Sequence, residues 1–187
     1  WVTGFVPDFF GNPASRNYWI PGTYIERVMY VGVAFLFFAA IAFKSKISEK
    51  KFFTISAILS LIVATNFPLL KFLYLLPVPV VSTTVPTREL SLFIFSMIVL
   101  GAIGIDYWTK KKIKTNIPFV FLAIYALLFI AVLIFWKLNF LSSQNVLVTI
   151  RNLFLSSFFA ISTVFIFLFL QGKSIGRLLL CAVVVID

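Results

Sequence analysis

Six apolar stretches, separated by short polar connections, constrain this chain more than any other feature. They lie at about 24–43, 52–68, 90–108, 118–136, 153–171 and 178–187. The hydrocarbon core of a bilayer takes about 17–25 mostly apolar residues of helix, because a helix bonds every backbone N–H and C=O within the segment itself. The composition agrees: 61% of the 187 residues are hydrophobic and 12% charged, with a mean hydropathy of +1.08. An ordinary soluble domain carries about 25% charged residues, so this chain lacks the polar groups to cover a water-facing globule. Its 24 Phe fit lipid contact and helix packing instead. The expected fold is all-α: one polytopic transmembrane helix bundle over residues 1–187, with about six spans and the last one truncated. The chain starts at Trp1 without a methionine and stops at Asp187 partway through an apolar run, the pattern expected of an internal fragment of a larger polytopic protein.

The charges sort between the connections. Lys44, Lys46, Lys50 and Lys51 follow the first apolar stretch, Lys110, Lys111, Lys112 and Lys114 the third, and Lys173 and Arg177 the fifth. The remaining six of the sixteen basic residues are Arg16, Arg27, Lys71, Arg88, Lys137 and Arg151. The positive-inside rule puts the Lys-rich connections on the cytoplasmic side and residues 1–23, 69–89 and 137–152 outside. A net charge of +10 distributed in this way sets topology and gives no footprint for nucleic acid. With no histidine and a single cysteine, Cys181, the chain has no His- or Cys-based metal site, no internal disulfide and no histidine-dependent catalysis. It contains no phosphate-binding loop, dinucleotide fingerprint or zinc-protease motif either.

Chemistry is therefore expected in the outward segments. Residues 1–23 carry three prolines and three glycines among aromatic and polar residues. They read either as a loop lying at headgroup depth or as part of a substrate-facing rim using Asp8, Arg16 and Asn17. Glu26 is four residues from Tyr30 and shares a face with it if the first span is helical there; it suits a sugar hydroxyl, a cation or a helix start. The stretch at 67–87 is too apolar for a free loop, and Pro68, Pro77, Pro79 and Pro86 break it too often for a span. It is expected to lie in the interface or to re-enter the membrane. Arg88, at the outer start of the third span, can pair with a phosphate or snorkel to lipid headgroups. Asp106, four residues before Lys110, reads as a boundary residue, and Gly101 and Gly104 as a site of close helix approach.

Several pieces of text in these segments resemble the YfhO-like bacterial membrane proteins. They are Pro7-Asp8-Phe9-Phe10-Gly11, Asn17-Tyr18-Trp19, Glu26 with Tyr30-Val31-Gly32, Leu69 to Pro77, Arg88, Leu100 to Asp106, and Val183 to Asp187. The order is kept along most of the chain, although Val78-Pro79 stands where the family usually has a glycine. That family is similar to the glycosyltransferases of the GT-C type, polytopic enzymes of the bacterial cytoplasmic membrane. The resemblance implies transfer of a sugar from a polyprenyl-phosphate carrier to an envelope polymer or lipid on the outer face. It also implies that the catalytic base lies upstream of Trp1. Such transfer needs a carboxylate for the acceptor hydroxyl, and positive charge or a divalent cation for the leaving phosphate. Arg88 is the first candidate for the phosphate, with Arg16 and Arg27 behind it, and Glu26 and Asp8 are candidates for sugar hydroxyls or a cation. A transporter or flippase segment and a non-catalytic membrane scaffold remain the alternative readings. The former requires paired acids or broken helices at mid-membrane.

Overall fold

The computed structural model describes residues 1–24, 28–65 and 86–187. Glu26 and Arg27, and with them the expected interfacial segment up to residue 85, lie outside the described residues. Among the described residues the fold is all-helical. Six α-helices follow one another: α1 Val33–Ala42, α2 Lys50–Ala64, α3 Leu90–Lys110, α4 Ile117–Lys137, α5 Ser143–Phe169 and α6 Ser174–Ile186. Short 3-10 turns at Val2–Gly4, Pro13–Ser15 and Pro86–Glu89 complete the order.

Three helices are long and apolar enough to cross a membrane: α3 with the turn before it, α4 and α5. Here the apolar runs and the helices coincide closely, at 90–108 against Leu90–Lys110 and at 118–136 against Ile117–Lys137. The other boundaries need correction. Among the described residues of the stretch at 24–43, helix covers the ten residues of α1, about 15 Å at 1.5 Å per residue. Val28 to Val31 form no regular element, and Gly32, at φ +88°, is the N-cap of α1. That backbone conformation is disfavoured for any residue with a Cβ, so the helix cannot extend back through it. Tyr30 is consequently off the helix, and its expected pairing with Glu26 lies outside the described residues. The segment at 137–152, expected to be an outward loop, is largely helix. Ser142 caps α5 by accepting a hydrogen bond from the Asn145 amide at 3.3 Å, and the helix begins ten residues before the apolar run. The last helix likewise starts at Ser174, four residues before its expected start.

The core is aromatic. Phe37 and Phe38 of α1 are fully buried against Phe121 of α4, Phe167 of α5 and Trp108 of α3. The Phe37 ring meets those of Phe38, Phe121 and Phe167, and Phe38 meets Trp108, all edge to face with centroids 5.2–5.6 Å apart. That geometry sets the positive ring edge against the negative ring face. The Trp108 indole N–H, which would otherwise be unpaired in an apolar interior, donates to the Phe167 carbonyl at 3.3 Å.

Against α1, α3 presents glycine. A Cβ on Gly101 would fall 2.6 Å from the Phe35 ring, and one on Gly104 would overlap the Phe38 carbonyl. In lipid, where apolar burial gives helices little reason to associate, such small residues allow the backbone approach that makes packing favourable. Two buried helix hydroxyls are satisfied locally, Ser60 donating to the Ser56 carbonyl and Ser157 to Leu153, each at 2.7 Å, whereas those of Ser96 and Thr163 are buried without a partner among the described residues.

The connections gather at two ends. At one, the Gln171 side chain holds the α3–α4 connection to the α5–α6 connection, accepting from the Ile113 amide at 3.2 Å and donating to the Trp108 and Lys111 carbonyls. Lys44 to Lys51 lie at that end too, since the last turn of α1 meets Gly104 and Trp108 near the end of α3. At the other end the N-terminal segment meets the start of α5.

Candidate functional site

Residues 1–24 hold two short 3-10 turns and no α-helix, with residues 13–16 and 21–23 exposed. They form a compact segment set into the end of the bundle, with Val6 fully buried and Thr3, Gly4 and Gly11 also inside. Three helix side chains hold its backbone: Tyr125 of α4 donates to the Phe5 carbonyl at 3.1 Å, Thr149 of α5 to Phe9 at 2.9 Å, and Asn152 of α5 to Asp8 at 2.5 Å. Proline and glycine keep the segment from forming a helix of its own, so these carbonyls need outside donors. Nothing in the residue pattern singled out Tyr125, Thr149 and Asn152. The available sign was polar groups recurring in the first turns of a helix whose later turns are apolar.

Asp8 is the hub of the segment. Its carboxylate accepts from the Tyr24 hydroxyl and from the Asn12 amide, the latter at 3.2 Å. Burial, and then the Asp8 hydrogen bond and charge, push the Tyr24 hydroxyl up to about 12. Asn17 accepts from the Asn12 backbone amide at 2.7 Å. Asp8 and Asn17 are thus brought together, but facing each other's neighbours inside the segment. Arg16 is exposed and stands apart from both.

Arg88 lies at the mouth of a cleft of about 370 Å³ lined by Thr23, Val28, Thr87, Leu90, Ser91 and Ile94. Arg88 is the charged residue among the described lining. The Ser91 hydroxyl donates to the Arg88 carbonyl at 2.8 Å and the Thr87 hydroxyl is buried, so a cation with the neighbouring Thr23 is what this cleft offers an anionic oxygen-rich group. Thr87 and Leu90 also line a second cleft of about 180 Å³, which runs beside Trp1, Phe10 and Met29 to Leu61 and Ala64 of α2. Leu61 in turn lines an almost wholly apolar groove of about 350 Å³ between α1, α2, α3 and α4, reaching Phe43, Phe93, Met97 and Leu100. The three clefts are thus neighbours along the bundle, the first holding Arg88 and the third an apolar groove whose Phe43 and Ile58 are exposed.

Asp187 has a partner that its position in the sequence did not suggest. Its carboxylate returns to the start of α1, where it accepts from the Tyr30 hydroxyl and the Val33 backbone amide. It thereby satisfies one of the amides that a helix start leaves without an internal acceptor. Asp106 pairs with Lys110 at 2.8 Å, as its boundary position implied. Among the described residues no group of three Asp, Glu, His or Cys side chains is placed to hold a metal ion. Compared with protein-family models, with curated proteins and with solved structures, the chain matches none.

Proposed function

We propose that this chain forms the carrier-binding part of a GT-C-like membrane glycosyltransferase, which moves a sugar from a polyprenyl phosphate to an envelope polymer or lipid on the outer face of a bacterial cytoplasmic membrane. One observation carries the reading: the Arg88 cleft and the apolar groove among α1–α4 flank a common intermediate cleft, which shares Thr87 and Leu90 with the first and Leu61 with the second. A lipid-linked phosphate needs both features at once, a cation with a hydroxyl for the phosphoryl oxygens and an apolar groove for the chain. The resemblance of the outward segments to the YfhO-like proteins supports the same chemistry. The catalytic base belongs upstream of Trp1 on this reading. Asp8 serves to shape the segment beside the mouth, and Arg88 holds the departing phosphate.

The test is transfer from a polyprenyl-phosphate sugar by the full-length protein in vesicles. Arg88→Ala should raise KM for the lipid donor by about tenfold, the loss of one charge-assisted contact. Unchanged kinetics would remove Arg88 from the site, and the absence of transfer from any such donor would remove the reading.

A specific observation keeps a second reading in play. α1 is a half-length helix that begins inside the bundle, with the Asp187 carboxylate at its start, and interrupted helices of this kind build ion and substrate sites in transporters. Uptake or exchange of a substrate by the reconstituted full-length protein, lost in Asp187→Asn, would favour that reading over transfer.

A further inference from the structure

Among the described residues, the end of the bundle opposite the N-terminal segment carries ten of the chain's sixteen basic residues and two acids, Glu49 and Asp106. Asp106 is taken by Lys110, and Glu49 accepts from Ser48 at 2.9 Å. Lys50 is turned onto the Phe43 and Ser45 carbonyls. The rest are not spread evenly, because Gln171 ties two connections together. The tie joins the connection that carries Lys111, Lys112 and Lys114 to the one that carries Lys173 and leads to Arg177. All five are exposed, the Lys111 ammonium lies 5.8 Å from the Tyr107 ring centroid, and none is within ion-pair distance of a carboxylate among the described residues. Of the helices that start at this end, α2 has Glu49 as its N-cap, whereas α4 and α6, which follow the two tied connections, have no acid in their first turns, so those two helix starts add to the positive field. Five like charges held together by a built contact repel one another unless an anion lies between them. The apolar helices α3 and α5 end within a few residues of these cations, and Ile113 and Leu170 pack on the core beside them, which puts the cluster at headgroup depth.

We propose that the Gln171-tied cluster of Lys111, Lys112, Lys114, Lys173 and Arg177 binds the headgroup of an anionic phospholipid in the leaflet at that end. The phosphate lies among the cations, and the acyl chains run along the apolar surfaces of the neighbouring helices. Polybasic groups at a membrane surface attract anionic lipid in this way, each charge adding to the affinity. The site is independent of the Arg88 cleft and of any sugar transfer.

Native mass spectrometry of the detergent-purified full-length protein tests the proposal, with phosphatidylglycerol, phosphatidylcholine and glycerol 3-phosphate as probes. Phosphatidylglycerol adducts should exceed phosphatidylcholine adducts about fivefold or more, and the triple variant Lys111→Gln, Lys112→Gln, Lys114→Gln should lose most of that excess. Gln171→Leu, which keeps every charge but unties the connections, should lower it about threefold, in keeping with cations no longer held together. The triple variant Lys44→Gln, Lys46→Gln, Lys51→Gln removes the same charge from the same end and should leave the excess nearly unchanged. Equal losses in the two triple variants would overturn the proposal in favour of a diffuse field. Equal binding of the two lipids, or displacement of phosphatidylglycerol by glycerol 3-phosphate, would overturn it as well, the latter by making the ligand a free phosphate.

Discussion

At the scale of single residues, the Tyr24–Asp8 pair gives a titration with a definite sign. The folded hydroxyl is pushed up to about 12 from an ordinary value of 10. Folding therefore favours the protonated phenol, and the pair's contribution is complete below about pH 10, then declines as pH rises towards 12. The absorbance difference between the wild type and Tyr24→Phe should show one tyrosinate forming near pH 12; ionisation near 10 would mean that Tyr24 stands free of Asp8. Gly104 gives a steric counterpart. Gly104→Ala puts a methyl group into the Phe38 carbonyl, and α1 and α3 must part to admit it. Overpacking of this kind costs about 1–3 kcal/mol, so the midpoint of thermal unfolding in detergent should fall by several degrees. Ala102→Gly, on the exposed side of the same helix, should show only the intrinsic helix cost of about 1 kcal/mol. Equal effects of the two substitutions would mean that the close approach is absent. Gly104 was legible in the sequence because small residues inside an apolar run have few other uses. The Asp187–Tyr30 contact was not, since it joins residues 157 apart and neither lies in a local pattern that points to the other.

At the scale of elements, hydropathy located helices well where both ends of a span are marked by charge or proline, as in α3 and α4. It failed at α5 because apolar content measures affinity for lipid, whereas helix formation asks only for bonded backbone and a start signal. The first turns of α5 carry Gln144, Asn145, Thr149, Arg151 and Asn152, and they are helical all the same. It failed at α1 for the opposite reason: the run looks continuous, and a single left-handed glycine cuts it. Within the candidate site, the position of Arg88 just before α3 was legible in the sequence, while the role of Asp8 as the hub of its own segment depends on tertiary contacts with Tyr24. The polar start of α5 has a use that can be measured. Thr149→Val with Asn152→Leu leaves the Phe9 and Asp8 carbonyls without their helix donors, at about 1 kcal/mol for each hydrogen bond. If opening precedes cleavage, proteolysis within residues 1–24 should speed up about tenfold or more. An unchanged cleavage rate would show that apolar contacts such as that of Val6, and not these hydrogen bonds, hold the segment in the bundle.

At the scale of the whole molecule, the separation of the two ends is the property on which every functional reading depends. Arg16, Gln144 and the Arg88 cleft share one end, whereas Lys112 lies at the other, with the 21 residues of α4 between Lys112 and Gln144. A helix of that length extends about 31 Å, the thickness of the hydrocarbon core. From the excess of basic residues at the Lys112 end, the positive-inside rule predicts that this end faces the cytoplasm. The prediction is made in a background carrying Cys181→Ser, because that exposed cysteine is the chain's own. A membrane-impermeant maleimide added to intact cells should label Arg16→Cys and Gln144→Cys, and should reach Lys112→Cys only after the membrane is opened. Labelling of Lys112→Cys together with Gln144→Cys in intact cells would mean that α4 does not cross. The reversed pattern would mean that the bundle is inverted, placing the Arg88 mouth in the cytoplasm, where an outward-facing polyprenyl-phosphate sugar could not reach it. Only the predicted pattern puts the polar mouth, the N-terminal segment and the start of α5 on the side where envelope polymers are built, and leaves the tied basic cluster facing the anionic inner leaflet.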